Sequence, residues 1–120
     1  MEYYELKDGF TLDLSGENTG KDQSFVLALN STPGSLYEVE FVAKSDLGVL
    51  AQLPVTIFYQ GFPLHSMVFQ GSEGKETSIR KIFGFRNRYG VYRLYFAQNG
   101  LQMVKIVFHY KGQSEEQLFS

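Results

Sequence analysis

Apolar and polar residues alternate with a period of two along much of the chain, the pattern of strands with one buried face. It is plainest in "LYEVEFVAKS", where Tyr37, Val39, Phe41 and Ala43 share one face and Glu38, Glu40 and Lys44 the other. The same reading predicts strands near residues 3–6, 9–14, 24–29, 36–45, 50–60, 65–70, 76–83, 91–97 and 101–110. Turn signals lie between them: Lys7-Asp8-Gly9, the run from Gly16 to Gly20, "STPGS" at 31–35, Gly61, "GSEG" at 71–74, Tyr89-Gly90 and Asn99-Gly100. No segment has amphipathic helical spacing, and "KSDLG" at 44–48 has room for one helical turn at most. Short strands so regularly spaced predict an all-β sandwich or barrel.

Asn99-Gly100 separates "VYRLYFA" from "LQMVKIVFHY", and Asn-Gly is the strongest short hairpin signal. Residues 91–97 and 101–110 are therefore predicted to be antiparallel neighbours. Placing Arg93 and Lys105 in water sends Leu94 and Phe96 to the core, with Val104, Ile106 and Phe108 from the second strand. Met103, Lys105, Val107 and His109 then fall on the wet side.

Composition sharpens this picture. Twelve glycines, 11 phenylalanines and eight tyrosines favour pleated, half-buried surfaces joined by turns. At 120 residues the chain has the size of one domain, assigned to 1–110 with a polar tail at 111–120. A formal charge of -2 argues against a dedicated nucleic-acid binder. No apolar run is long enough to span a bilayer as a helix, so no membrane partner is expected. With no cysteine and only His65 and His109, the common structural zinc sites are excluded. "MEYYELKDGF" has neither a basic n-region nor an apolar h-region, so no signal peptide is expected there. Compartment stays open, extracellular if the domain is cut from a secreted protein.

"DQSFVLALNSTPGSLYEVEFVAKSD" resembles the early part of galactose-binding-like jelly-roll domains, a group that includes many carbohydrate-binding modules. The features that carry the resemblance are a Gly34-Ser35 turn followed by Tyr37-x-Val39-x-Phe41-x-Ala43. Gly100-Leu101 with Val104 and Ile106 is similar to the closing strand of such domains. The resemblance covers residues 9–110 and rests on core and turn positions. It implies an antiparallel jelly-roll sandwich and a non-catalytic glycan-binding module, accessory to a glycan-active protein. Many sugar-binding members stack the ligand on tryptophan; this chain has none, which leaves tyrosine and phenylalanine for that role. Structural calcium is common near the first strands of such domains. Asp13, Glu17 and Asp22, in "DLSGENTGKD", supply oxygen ligands of the type calcium takes.

No Gly-x-Ser-x-Gly elbow, Walker loop or His-Glu-x-x-His appears, and Glu38 with Glu40 reads as an ordinary wet strand face, so no catalysis is expected. Sugar recognition needs flat apolar faces and a few convergent polar groups. Two clusters offer them. One lies on the wet faces of central strands: Gln52, Phe58, Arg93 and Tyr95. The other lies in loops: Phe62 and His65 after Gly61, then Phe85, Arg86, Arg88 and Tyr89. The rival reading is a protein-interaction or assembly domain, homodimeric in one form, because arginine and tyrosine are also enriched at protein interfaces. An anion or nucleic-acid site on Arg86, Arg88 and Arg93 is a third reading, opposed by the net charge.

Overall fold

Nine strands carry the alternation into three dimensions. In the computed structural model, which describes residues 2–15 and 24–113, they are β1 (Tyr4–Glu5), β2 (Thr11–Asp13), β3 (Ser24–Asn30), β4 (Ser35–Lys44), β5 (Gln52–Tyr59), β6 (Phe62–Gln70), β7 (Glu76–Phe85), β8 (Tyr89–Phe96) and β9 (Gln102–Gln113). No helix occurs among the described residues. One sheet has the order β1-β3-β8-β5-β6 and the other β2-β9-β4-β7. All described pairings are antiparallel except β1 with β3.

Each sheet is apolar on one face, and the two faces bury each other. From the second sheet come Tyr37, Val39, Phe41 and Ala43 of β4, Phe83 and Phe85 of β7, and Met103, Ile106 and Phe108 of β9. Leu27 and Leu29 of β3, Leu53, Val55 and Ile57 of β5, and Tyr92, Leu94 and Phe96 of β8 meet them from the first. The result is an antiparallel β-sandwich of jelly-roll type.

Consecutive strands change sheet at every connection but one. Among the described strands, only β5 and β6 form a tight hairpin, through Gln60-Gly61 with φ of 52° and 81°. Positive φ at both turn residues is the backbone a two-residue type I′ hairpin requires. The hairpin expected at Asn99-Gly100 is absent. Gly100 has a positive φ but Asn99 does not, and the chain passes there from one sheet to the other. Strand β8 pairs with β3 and β5, whereas β9 pairs with β2 and β4. Two amphipathic strands in succession can pair edge to edge or face each other across a core, and their inward residues look alike in either case.

Register also corrects the inward set of β9. Val42 pairs with Lys105 and Ala43 with Met103, so Val104 is the extra residue of a β-bulge. The bulge turns Met103 into the core, fully buried, and leaves Val104 half-buried with its carbonyl accepting the Leu14 N–H at 2.8 Å. The last strand continues through Gln113, beyond residue 110.

At one end, two loops interlock. Ser72 Oγ accepts the Ser45 N–H at 3.0 Å, and the Glu73 and Gly74 N–H groups donate to the carbonyls of Leu47 and Ser45. Gly71 is what permits this approach: a Cβ there would lie 2.0 Å from the Gly48 carbonyl oxygen and 2.7 Å from that of Leu47.

Backbone cannot yield as a side chain can, so Gly71→Ala should cost about 1–3 kcal/mol or more by urea denaturation. Gly9→Ala, strained in φ but facing open space, serves as the comparison and should cost less. Equal midpoints for Gly71→Ala and wild type would refute the packing of this end. Phe96→Ala should lose about 3–5 kcal/mol, as large core truncations do.

Candidate functional site

The outer faces of the two sheets differ in chemistry. On the β2-β9-β4-β7 sheet, Arg80 Nη1 donates to Glu38 Oε1 at 2.7 Å, and its other terminal nitrogen lies 3.7 Å from Glu40 Oε1. His109 Nε2 sits 3.3 Å from that same Glu40 oxygen. The Arg80 hydrogen bond holds the Glu38 carboxyl below its usual range. A carboxylate kept ionised in this way is unsuited to general-acid work.

The other sheet presents Val26, Val91, Arg93, Tyr95 and Phe58 on its outer face. Arg93 sits directly opposite Val26 on one side and Phe58 on the other. At the end of the sheet where the β5–β6 turn meets the start of β8, this surface becomes concave. The cleft has a volume of about 600 Å³, within the range of small-ligand sites. Tyr3, Phe58, Tyr89, Val91 and Arg93 line it, with Gln60, Gly61 and Gly90.

Several contacts hold this cleft in shape. Tyr3 and Tyr89 meet edge to face with ring centroids 5.0 Å apart. Arg93 Nη1 donates to Ser24 Oγ at 3.0 Å, which fixes the guanidinium over the sheet. The Tyr59 hydroxyl accepts from Asn87 Nδ2 at 3.1 Å and Gln60 Nε2 at 3.4 Å, tying the β7–β8 loop to the β5–β6 turn. Beneath the cleft, the Tyr59 and Tyr92 rings pack 4.9 Å apart, and burial pushes the Tyr92 phenol well above its ordinary pKa. Gly90 packs close to both rings: a Cβ there would lie 3.0 Å from the Tyr92 ring and 3.1 Å from that of Tyr59, so the rings would have to shift by a few tenths of an ångström.

The residues singled out from sequence are thus partly assembled. Phe58 and Arg93 from the strand cluster join Tyr89 from the loop cluster in one cleft. Tyr95 and Gln52 share that sheet face but lie outside the lining, with Gln52 at the far end of β5. Arg86 and Arg88 are exposed in the neighbouring loop, where the Arg88 carbonyl accepts the Ser31 N–H at 2.7 Å. Phe62 pairs with Tyr59, so it shares the opposite face from Phe58, three-quarters exposed. Phe85 is core, 2% exposed, because β7 runs to residue 85.

His65 is also placed elsewhere. It pairs with inward-facing Ile57, its ring packs 4.7 Å from Phe83, and Nε2 lies 3.0 Å from the Ile82 carbonyl. It joins edge strand β6 of one sheet to edge strand β7 of the other. Tyr3, Gln60 and Val91 were missed from sequence. The Tyr3-Tyr4 pair was visible, but only the parallel β1–β3 pairing brings Tyr3 to Tyr89.

Asp13 Oδ1 accepts the N–H and hydroxyl of Ser15 at 2.9 and 2.7 Å, which lowers its pKa and closes a local turn. Glu17 and Asp22 lie outside the described residues. Among the described residues no three His, Asp or Glu side chains converge as metal ligands.

No family model matches the chain. A Ruminococcus albus β-glucosidase is 33% identical over 105 residues, 86% of this chain and 11% of that protein. The chain thus spans about one-ninth of the length of the curated relative it matches. Among solved structures, a carbohydrate-binding module from Cellvibrio mixtus lichenase 5A, in complex with cellotriose, superposes with a TM-score of 0.55 at 15% identity, covering 88% of this chain and 74% of that one. A Bacillus thuringiensis Cry1Da tryptic core gives 0.57 at 18% identity, over 75% and 17%. The chain has the jelly-roll fold that these proteins share.

The placement of His65 makes stability depend on pH. Burial is the main reason its pKa lies below the ordinary 6.5, outweighing the Ile82 hydrogen bond, and Lys81 adds to the lowering. The unfolded chain then binds this proton more readily than the folded one, so the contribution is complete above about pH 6.5 and is lost as pH falls through the folded value. The wild-type melting temperature should drop on acidification below that point, and His65→Gln should flatten the drop. Parallel curves for the two proteins would contradict the assignment.

Proposed function

We propose that the chain is a non-catalytic carbohydrate-binding domain, accessory to a longer glycan-active polypeptide. The observation that carries this reading is the cleft itself, where Tyr89, Tyr3 and Phe58 set aromatic surface around the oriented donor Arg93. A pyranose offers an apolar C–H face and a rim of hydroxyls, and this arrangement answers both. Most of the lining belongs to paired strands, the kind of support that holds a binding surface in place. The likeness to part of a β-glucosidase and to a module solved with cellotriose supports the same assignment. Fold alone would not, because folds of this kind host unrelated activities.

Tyrosine presents less stacking area than tryptophan, so single-site affinity should be weak and strengthened by linkage to further domains. In calorimetric titrations against soluble oligosaccharides, Tyr89→Ala and Tyr3→Ala should each weaken binding at least about tenfold. Their melting temperatures should stay near wild type, since both rings are substantially exposed. Arg88→Ala, outside the lining, should alter affinity far less. If no glycan in a broad panel binds while the protein sediments as a stable dimer, the exposed aromatic surface belongs to a protein interface instead.

A further inference from the structure

Among the described residues, no carboxylate lines the cleft. Arg93 is the one charged side chain among the described residues that line it. Arg80 pairs with Glu38 and Glu40 on the other sheet, where His109 lies beside Glu40. Arg93 carries five N–H donors and spends one nitrogen on a neutral hydroxyl, that of Ser24. Its charge therefore has no carboxylate partner among the described residues. Val26 and Phe58, opposite it on the neighbouring strands, are apolar on both sides.

A neutral sugar presents hydroxyls, which Gln60, Tyr3 and Tyr89 can meet as donors or acceptors, but it brings no charge to answer a guanidinium. An anionic group is the better complement to Arg93, and a guanidinium fork engages a planar carboxylate through two parallel bonds. We propose that the cleft selects an acidic sugar, a ring bearing a carboxylate or sulfate that meets Arg93 while the ring lies against Tyr89 and Phe58. The proposal rests on the carbohydrate-binding reading above and narrows its ligand class.

The test is calorimetric titration with oligomers of galacturonate, glucuronate and mannuronate, their carboxyl-reduced neutral counterparts, and a sulfated galacto-oligosaccharide. At least one acidic oligomer should bind about tenfold or more tightly than its neutral counterpart at low salt. That advantage should shrink as ionic strength is raised to about 0.5 M, because the cleft is open to solvent. Arg93→Gln should remove the preference, whereas Lys105→Gln, a charge-matched change on the other sheet, should retain it. Comparing the uronates with the sulfated oligomer identifies which anion is taken.

Neutral oligomers binding as well as acidic ones, with Tyr89→Ala weakening both, would overturn acid selection and leave the carbohydrate reading standing. A preference that survives Arg93→Gln overturns it too. Absence of binding to every oligomer, acidic and neutral, overturns both readings together.

Discussion

Two sheets, each apolar on one face, can leave water only by covering each other, and every other feature of this molecule is arranged around that contact. The ladder Tyr37, Val39, Phe41 and Ala43 lies at its centre, on a strand hydrogen-bonded along both edges, to β7 and to β9. Burying side chains the size of Val39 or Phe41 is worth roughly 1.5–3 kcal/mol each, part of the dominant favourable term in folding. Sequential strands alternate between the two layers, so most connections cross the edge of the sandwich. The exception is the β5–β6 hairpin, whose turn has the required backbone.

The cleft inherits its shape from this core. Tyr59 and Tyr92 fill the inner side of the sheet beneath it, and Gly90 keeps room for their rings. The Tyr59 hydroxyl emerges far enough to accept hydrogen bonds from Asn87 and Gln60, so one partly buried ring anchors two loops at the rim. Packing inside the sandwich thus positions the surface outside it. At the opposite end, the Ser45–Ser72 contact and the bare backbone of Gly71 lock the β4–β5 and β6–β7 loops together.

Charge is divided between the two outer faces. The β2-β9-β4-β7 sheet carries Arg80 paired with Glu38 and Glu40, exposed contacts that contribute little to stability. The other outer face holds apolar and aromatic residues around Arg93. A surface whose arginine is already paired with carboxylates has little left to offer a ligand, whereas a cation with no carboxylate partner among the described residues, set among exposed rings, has both chemistry and area. This contrast directs attention to the cleft and away from the paired glutamates.

Much of the architecture was legible in the sequence because period-two alternation is local: side chains on a strand point to opposite faces whatever the strand's neighbours are. Tyr37 to Ala43, Leu94 and Phe96 were placed inward on that ground, and Arg93 and Tyr95 outward, as found. Strand partners were not legible, because pairing depends on residues far apart in sequence. Asn99-Gly100 has the composition of a hairpin, but burying β8 and β9 in opposite layers overrode the local preference. The bulge at Val104 was hidden for a related reason, since register is set by the neighbouring strand and one extra residue exchanges inside for outside. Phe58, Tyr89 and Arg93 could be singled out from their residue types and expected exposure. Their convergence with Tyr3 was decided by tertiary structure alone, because it required a parallel strand from the N-terminus to dock beside β3 and bring a ring across to Tyr89.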